Sequence, residues 1–264
     1  MIYFLSDAHI GSRAMSDWHE HEERVCTILR FFARDAEAIY ILGDMFDFWY
    51  EFVFGKPTEY ELTLSTLKDL TDSGIQIHYF IGNHDIWTFG WLEKRTGVIV
   101  HRTTETILIK DKRCLLAHGD GLIPSDMIQR YPKVVQKKIK HFIFLRKVFH
   151  NPVLQRLFAL MPPALGNRIG YTWARHSREK ELAYPCPYKG ENQEELVLYA
   201  KEQEQLQHHD YYIFGHRHIE LDLELNTGAR VIILGDMFKQ YTYARMDDNA
   251  NITLLNYEYP STTT

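Results

Sequence analysis

The sequence has 264 residues, of which 45% are apolar and 25% are charged, and its formal net charge is −5. This composition is typical of a globular protein with a sizeable core, and the negative charge argues against a nucleic-acid partner. Three widely spaced cysteines favour a reducing compartment, and because the sequence has neither a signal-length apolar core at its start nor a run of roughly 20 apolar residues, we expect a cytoplasmic protein.

Apolar runs predict most of the strands and helices. Strands are predicted at 2–5, 38–42, 75–80, 211–214 and 231–234, and hairpins at 107–117 and 241–257. Helices are predicted at about 20–34 and 59–72, with a further helical region between 118 and 211. The early β-α-β alternation, followed by hairpins, predicts an α/β fold with mixed sheets.

Residues suited to binding metal follow five of these strands. In chain order they are Asp7, His9, Asp44, Asn83, His118, His216 and His218. An α/β sheet places its chemistry outside the carboxyl ends of its strands, so we expect these side chains to converge. The Asp-x-His and His-x-His spacings put both members of each pair on one face. Carboxylate, imidazole and amide oxygen together suit Mn²⁺, Fe²⁺ or Zn²⁺, and the set can hold two ions with Asp44 as the bridge.

Each of these residues also has a structural interpretation. Asp after a strand is often a turn former or a helix cap, Asn-His is a common turn dipeptide, and Gly-His-Arg-His can be a solvated loop. The coincidence of five strand ends favours the metal interpretation. The segment Leu-Gly-Asp-Met-Phe at 42–46 recurs at 234–238. Because one bridging carboxylate is sufficient, we interpret Asp236 as structural.

The ordered motifs Asp-x-His, Gly-Asp-x-x-Asp, Gly-Asn-His-Asp, His-Gly and Gly-His-x-His resemble the calcineurin-like metallophosphoesterase superfamily over residues 7 to 218. The resemblance implies a four-layer α-β-β-α sandwich. It also implies one ion held by Asp7, His9, Asp44 and His218, and another held by Asp44, Asn83, His118 and His216. By the same resemblance His84 is a catalytic residue, while Asp47 and Asp85 support the ligands. Two such ions can activate a water and neutralise phosphate charge.

An inserted lobe, residues 125–182, is predicted between core segments 1–124 and 183–260. Segment 127–180 carries 12 basic residues and one acidic residue, a net charge of +11, whereas the rest of the chain carries −16. The segment is also rich in apolar residues, and prolines divide it into short helices. It can be a basic helical hairpin packed on the core, a nucleic-acid patch, or a cap that takes a lipid phosphate from an anionic membrane surface. Few aromatic residues are arranged for base stacking, which favours the lipid.

Segments 150–158 and 174–179 resemble the insertion of the UDP-2,3-diacylglucosamine diphosphatase family of lipid A biosynthesis. That resemblance implies cleavage of the substrate's pyrophosphate to lipid X and UMP at the inner membrane. It also implies two divalent ions, with Mn²⁺ preferred over Fe²⁺ or Zn²⁺. By position, the implied substrate contacts are Asp126, Arg175, Ser177, Arg178 and Lys180. The best-known members carry Arg where this chain has His84. Two alternatives remain: a phosphodiesterase acting on another nucleotide or phospholipid, and a non-catalytic scaffold that binds through the lobe.

Overall fold

The computed structural model describes residues 1–130, 132–183 and 187–258, and the side chains at positions 125, 126, 130, 135, 177 and 180–183 also lie outside the described part. The strands are β1 (Ile2–Leu5), β2 (Ala38–Leu42), β3 (Gln76–Phe80), β4 (Ile99–His101), β5 (Glu105–Ile109), β6 (Lys112–Ala117), β7 (Tyr211–Phe214), β8 (Glu220–Glu224), β9 (Arg230–Leu234), β10 (Thr242–Met246) and β11 (Ile252–Asn256). The helices are α1 (Trp18–Phe32), α2 (Glu61–Asp72), α3 (Trp91–Thr96), α4 (Ser125–Arg130), α5 (Lys133–Phe149), α6 (Pro152–Ala159), α7 (Pro163–Ala183) and α8 (Glu195–Leu206).

The strands form two mixed sheets. The first has the order β11-β10-β1-β2-β3-β4, and the second has the order β5-β6-β7-β9-β8. Strands β1, β2, β3 and β4 run parallel, as do β6, β7 and β9, whereas the hairpin strands pair antiparallel. The parallel strands therefore bring their carboxyl ends, and the loops that follow them, to one edge of each sheet.

Three apolar clusters hold four layers together. Helices α1 and α2 cover the outer face of the first sheet, the two sheets pack face to face, and α8 covers the outer face of the second sheet. Representative members are Val25, Leu64 and Ile39 in the first cluster, Phe4 and Leu116 in the second, and Leu196 and Tyr212 in the third. Both faces of the central strands are buried, which is why they read as continuous apolar runs. The predicted α-β-β-α fold is confirmed.

The sequence did not predict the edge strands β4 and β8 or the short helix α3. Strand β8 alternates, with Leu221 and Leu223 packed beside the third cluster while Glu220 and Glu224 are exposed. Strand β4 has only three residues. Short strands buried on one side carry too few apolar residues to give a strong pattern.

Helices α4 to α7 occupy the span for which an inserted lobe was predicted. Asn151 caps α6, since its side chain accepts hydrogen bonds from the amides of Val153 and Leu154, and Pro152 occupies the first turn. The lobe contacts the core through an ion pair between Arg146 and Asp120, 2.7 Å long. The division into core and lobe stays a prediction. Among the described residues, no helix combines the length and the apolar character needed to cross a bilayer.

Candidate metal centre

The seven predicted ligands lie on the loops at the carboxyl edge of the two sheets, and several have an unusual backbone. Five non-glycine residues among them adopt left-handed φ angles: Asp7 (56°), His9 (47°), Asp44 (53°), His216 (66°) and His218 (50°). Each such residue costs of order 1–3 kcal/mol, and backbone strain of this kind clusters at functional sites. The backbone of these loops therefore adopts costly conformations that orient the side chains.

Asp7, His9 and His218 form the first group. Oδ1 of Asp7 lies 3.3 Å from Nε2 of His218 and 3.6 Å from Nε2 of His9, and the two Nε2 atoms are 3.3 Å apart. Potential ligand atoms from all three residues therefore face one point. Oδ2 of Asp7 accepts a hydrogen bond from the amide of His216 at 2.8 Å, which fixes the carboxylate in this orientation.

Asp44 stands between this first group and a second group formed by Asn83, His118 and His216. Its Oδ2 lies 3.3 Å from Nε2 of His118 and 3.9 Å from Nε2 of His9. Oδ1 of Asn83 lies 3.2 Å from Nε2 of His118, and the ring of His216 is centred 5.0 Å from that of His118. Asp44 therefore lies between the two groups, and its bridging role stays a prediction.

Gly82 permits this close approach. A Cβ atom at this position would lie 2.1 Å from Oδ1 of Asp44 and 2.6 Å from its backbone nitrogen. The glycine before Asn83 is therefore needed so that the loop after β3 can lie against the loop after β2.

The orientation of the His118 ring is set by a hydrogen bond at the ring nitrogen that faces away from Asp44. Its Nδ1 donates a hydrogen bond to the carbonyl oxygen of Leu42 at 2.8 Å, so in the neutral ring the Nε2 lone pair points towards Asp44 and Asn83. A hydrogen bond at the far ring nitrogen is the usual way in which proteins orient an imidazole that binds metal.

The charges of the cluster depend on one another. Burial alone would raise the pKa of Asp7 and of Asp44, but nearby imidazoles, chiefly His218 and His118 respectively, hold both values well below the usual range. Burial would lower the pKa of His118, and Asp44 instead raises it well above the ordinary value. The buried carboxylates are thus ionised, and they require compensating positive charge.

The donor set fits divalent cations. Oδ1 of Asp7 is buried and has no hydrogen-bond partner among the described residues, and the Nε2 atoms of His218 and His9 lie 3.3 and 3.6 Å from it. Buried anionic oxygens are costly unless they are paired or bind a cation. Beside imidazole nitrogens and an amide oxygen, they match the preferences of Mn²⁺, Fe²⁺ and Zn²⁺. The assignment of each ligand to one ion stays a prediction.

His84 lies at the same cluster but is held differently. Its Nδ1 donates to the carbonyl oxygen of Asp47 at 2.6 Å, and its ring packs edge-on against that of His9, with centres 5.0 Å apart. Potential ligand atoms of His84, His9 and Asp44 lie within 4.8 Å of one another. Burial lowers the pKa of His84, so the ring is neutral near pH 7.

Further carboxylates lie around the cluster. Asp47 lies 3.5 Å from Nδ1 of His9. Asp85 accepts hydrogen bonds from Met45, Tyr79 and Gly82 and so ties the loops after β2 and β3 together. Asp236 accepts from backbone amides of its own turn, and its Oδ2 lies 3.4 Å from Nδ1 of His218.

The structure places the predicted substrate contacts at different distances from the ligand cluster, and some of them lie outside its described part. Three of them, the side chains of Asp126, Ser177 and Lys180, lie outside the described part. Arg178 is buried, with one terminal guanidinium nitrogen 3.0 Å from both ring nitrogens of His9 and its Nε 3.5 Å from Asp47. Arg175 is exposed and forms an ion pair with Glu179. The structure therefore brings Arg178 to the metal ligands, and the substrate contacts stay predictions.

Two features of the site were not identified from the sequence. The indole of Trp173, on α7, is centred 5.3 Å from the ring of His84. Asp120, which binds Arg146, is buried beside the metal ligands, and His118 contributes to a lowered Asp120 pKa although burial opposes it. The place of Asp120 directly after His118-Gly119 was a usable signal, whereas nothing in the sequence pattern indicates which face of α7 carries Trp173 inward.

Comparison with known proteins agrees with this geometry. The sequence profile described as calcineurin-like phosphoesterase matches residues 2–220. The chain belongs to this family. Its loops after β1, β2, β3, β6 and β7 supply the ligand cluster.

Curated relatives extend over nearly the whole chain. A UDP-2,3-diacylglucosamine hydrolase of Porphyromonas gingivalis is 35% identical over 257 residues, which cover 93% of this chain and 94% of the relative. The enzyme of the same name from Photorhabdus laumondii is 28% identical and covers 97% and 98%. A solved archaeal phosphodiesterase is similar at a TM-score of 0.47 and 13% identity, covering 97% of this chain and 99% of that chain.

Proposed function

We propose that this chain hydrolyses the pyrophosphate bond of UDP-2,3-diacylglucosamine to 2,3-diacylglucosamine 1-phosphate (lipid X) and UMP, using two divalent ions, Mn²⁺ in preference to Fe²⁺ or Zn²⁺. One observation carries the proposal: a large apolar chamber formed by the lobe and the core lies directly beside the metal-ligand cluster. The chamber supplies apolar surface against which acyl chains can be buried. The names of the relatives support the same substrate.

The chamber has a volume of about 510 Å³. It is lined by Phe48, Trp87, Val148, Phe149, Leu154, Gln155, Leu157, Phe158, Met161, Ile169, Gly170 and Trp173. The lining is almost entirely apolar and comes from α5, α6, α7 and two core loops. Burial of each methylene contributes about 0.8 kcal/mol, so a chamber of this kind suits acyl chains.

Trp173 connects the chamber to the reacting centre. Its indole lies against His84, with ring centres 5.3 Å apart, and against Phe149, with ring centres 6.2 Å apart. Arg178 follows five residues later on α7, about 7.5 Å along the helix axis, and reaches His9. A lipid held by the chamber would thus have its sugar phosphate between Trp173 and the metal ligands. A guanidinium at this point suits a phosphate oxygen.

The ligand cluster would hold the two ions through Asp7, His9, Asp44 and His218 on one side, and through Asp44, Asn83, His118 and His216 on the other. When bound, divalent ions lower the pKa of a coordinated water and neutralise charge on the phosphate. Burial lowers the pKa of His84, and the negative charge of a pyrophosphate would raise it again. His84 would then present a proton at Nε2 to the phosphate, because its Nδ1 is held by the Asp47 carbonyl.

We further propose that the lobe rests on the cytoplasmic face of the inner membrane. Lys137, Lys138 and Lys140 of α5 are exposed, and so are the apolar side chains Val153 and Leu157 of α6. Cationic and apolar groups together favour an anionic bilayer surface. The lobe would act as a cap that receives the substrate from that surface and passes its acyl chains to the chamber.

Product analysis tests the proposed reaction. The purified protein, loaded with Mn²⁺ and incubated with UDP-2,3-diacylglucosamine in detergent, should release UMP and lipid X in equal amounts by mass spectrometry. Asp44→Ala should release neither, and Asp69→Ala, which changes an exposed carboxylate, should match the parent. Intact substrate, or UDP as the nucleotide product, would contradict the proposal. Turnover of other lipid-linked phosphodiesters at a higher rate would favour the alternative phosphodiesterase.

A further inference from the structure

The segment Leu-Gly-Asp-Met-Phe occurs twice, and its two aspartates point in different directions. It follows β2 at 42–46 and β9 at 234–238, and in both copies the glycine has a positive φ, 85° at Gly43 and 75° at Gly235. Asp44 then adopts a left-handed φ of 53°, whereas the backbone of Asp236 stays outside the left-handed region. The same five residues therefore aim one carboxylate into the ligand cluster and the other into its own turn.

The turn holds Asp236 firmly. Its Oδ1 accepts hydrogen bonds from the backbone amides of Phe238, Lys239 and Gln240 at 2.9, 2.5 and 3.0 Å. Its own amide donates to Oγ1 of Thr242 at 2.9 Å. The residue is only 4% exposed. These contacts explain the structural interpretation of Asp236, but they use only one of its two carboxylate oxygens.

The other oxygen faces a predicted metal ligand. Oδ2 of Asp236 lies 3.4 Å from Nδ1 of His218. The opposite ring nitrogen of His218, Nε2, lies 3.3 Å from Oδ1 of Asp7 and 3.3 Å from Nε2 of His9. His218 therefore stands between a fixed carboxylate on one side and the ligand cluster on the other.

We propose that Asp236 is a positioning residue for the metal centre. It accepts the Nδ1–H of His218, which fixes the tautomer and the ring angle so that the Nε2 lone pair faces the ion held with Asp7, His9 and Asp44. The inference rests on the metal centre of the proposed function, and it adds a residue that holds no ion itself. Carboxylates in this position raise the basicity of the imidazole as well as orienting it.

Two of the predicted ligands, His218 and His118, differ in this respect. His218 has the carboxylate of Asp236 near Nδ1, whereas Nδ1 of His9 lies 3.0 Å from the Arg178 guanidinium and 3.5 Å from Asp47. His118, in the second group, donates its Nδ1–H to a neutral backbone carbonyl. The effect of Asp236 should therefore be confined to one of the two ions.

Asp236→Asn separates the two roles of the side chain. The amide oxygen can still accept from the three turn amides, but the NH₂ group would face Nδ1 of His218. His218 could then keep a hydrogen bond only by moving its proton to Nε2, which removes the lone pair from the cluster. Titration of the metal-free variant with Mn²⁺, followed by electron paramagnetic resonance, should show one ion weakened by about 10–100-fold and the other unchanged.

Thr242→Val is the matched control. It removes the oxygen that accepts the Asp236 amide and so perturbs the turn, but it leaves the contact with His218 in place. We expect a lower Tm with parent affinity for both ions. In a His218→Ala background, Asp236→Asn should cause no further loss of Mn²⁺ affinity, because the residue acts through His218.

One further measurement uses the parent chain, so it does not depend on whether a variant folds. Long-range ¹H–¹⁵N spectra of the metal-free protein report the tautomer of each imidazole, and the Nδ1–H form is expected for His218. The Nε2–H form, parent affinity for both ions in Asp236→Asn, or a further loss in the His218→Ala background would each overturn this inference alone. A parent protein that bound no Mn²⁺ would overturn the proposed function together with it.

Discussion

The backbone amide of His84 donates a hydrogen bond to Oδ1 of Asp44 at 2.8 Å, so the two residues are joined through the main chain of one and the side chain of the other. The contact fixes the carboxylate that is predicted to bridge the two ions, and it does not involve the His84 imidazole. Removing the imidazole therefore leaves the anchor of Asp44 in place. Metal binding and the action of His84 on the phosphate can be separated for this reason.

His84→Ala should keep both Mn²⁺ ions and lower kcat by roughly 10²–10⁴-fold, the range expected when a positioned proton donor is lost. Metal content is measured by elemental analysis and kcat with UDP-2,3-diacylglucosamine. His78→Phe, which removes an imidazole of the same strand region away from the cluster, serves as the control and should keep kcat. A His84→Ala enzyme with parent kcat would remove this residue from the reaction.

Asp44→Ala should lose the most metal of any single ligand variant, because its carboxylate lies between both groups of ligands. We expect a fall from two ions to one or none per chain. Asp47→Ala removes an equally buried carboxylate that supports His9, and it should retain more metal than Asp44→Ala. Elemental analysis after gel filtration measures the number of ions per chain. Two ions per chain in Asp44→Ala would show that the bridging role is assigned to the wrong residue.

The lysines of α5 should govern attachment to anionic membranes. Each Lys near such a surface contributes about 1 kcal/mol, so reversing Lys137, Lys138 and Lys140 to Glu should weaken binding to phosphatidylglycerol vesicles by at least about 100-fold at low salt. Sedimentation with vesicles measures this. Hydrolysis of a soluble phosphodiester should be nearly unchanged. Reversal of Lys68, Lys94 and Lys239, exposed lysines of the core, is the control and should leave vesicle binding close to that of the parent. Parent-like binding by the α5 variant would contradict the membrane role.

Two phenylalanines of α5 allow the role of the chamber to be tested, because one lines the chamber and the other lies on the outer surface of the lobe. Phe149 lines the chamber and contacts Trp87 and Trp173, whereas Phe144 is 60% exposed and does not line it. Phe149→Ala should raise KM for the diacylated substrate about tenfold, through lost apolar contact. Phe144→Ala should leave KM unchanged in detergent. Equal KM values for the two variants would argue against an acyl chain beside Phe149, and circular dichroism would check that both remain folded.

His78 gives stability a pH dependence that is independent of the metal centre. Burial and the adjacent His101, 2.9 Å away, lower the pKa of His78 to about 4, below its unfolded value of about 6.5. Its contribution to stability is therefore complete above pH 6.5 and is lost as the pH falls towards 4. His101 is itself paired with Glu105, and Tyr40 stacks on the His78 ring.

Between pH 7 and pH 5, the unfolding free energy should fall by about 1 kcal/mol less in His78→Phe than in the parent, after allowance for solvent screening. Urea unfolding of the metal-free protein at the two pH values measures this. His141→Gln, which changes an exposed imidazole of the lobe, should retain the parent dependence. An unchanged slope in His78→Phe would mean that another group controls acid stability.

Much of the fold and of the ligand cluster could be predicted because buried parallel strands leave a strong apolar signal and end in a few chemically distinctive residues. The repeated Leu-Gly-Asp-Met-Phe segment marks the limit of that reasoning. Asp44 and Asp236 have the same two neighbours on each side in sequence, yet they differ in the φ angle at the aspartate. That angle is set by tertiary contacts, such as the amide of His84 on Asp44, which come from distant parts of the chain.

The lobe was harder to interpret for the same reason. Its composition predicts helices, positive charge and apolar content, but a helix with apolar residues on several faces does not reveal which face turns inward. Arg178 reaches His9 across 169 residues of sequence. Contacts of this length depend on how α7 docks, and no local pattern encodes them.

Helix α7 carries both Trp173, which borders the chamber, and Arg178, which contacts His9. An inhibitor that filled the chamber against Trp173 would occupy the space that we propose for the acyl chains of the lipid. A substitution of Trp173 that excluded such a compound would also remove a wall on which the natural substrate depends. We therefore expect substitutions of Trp173 that exclude such a compound to raise KM for the diacylated substrate as well, whereas substitutions of Ile169, which is 48% exposed, should weaken the compound with less effect on KM.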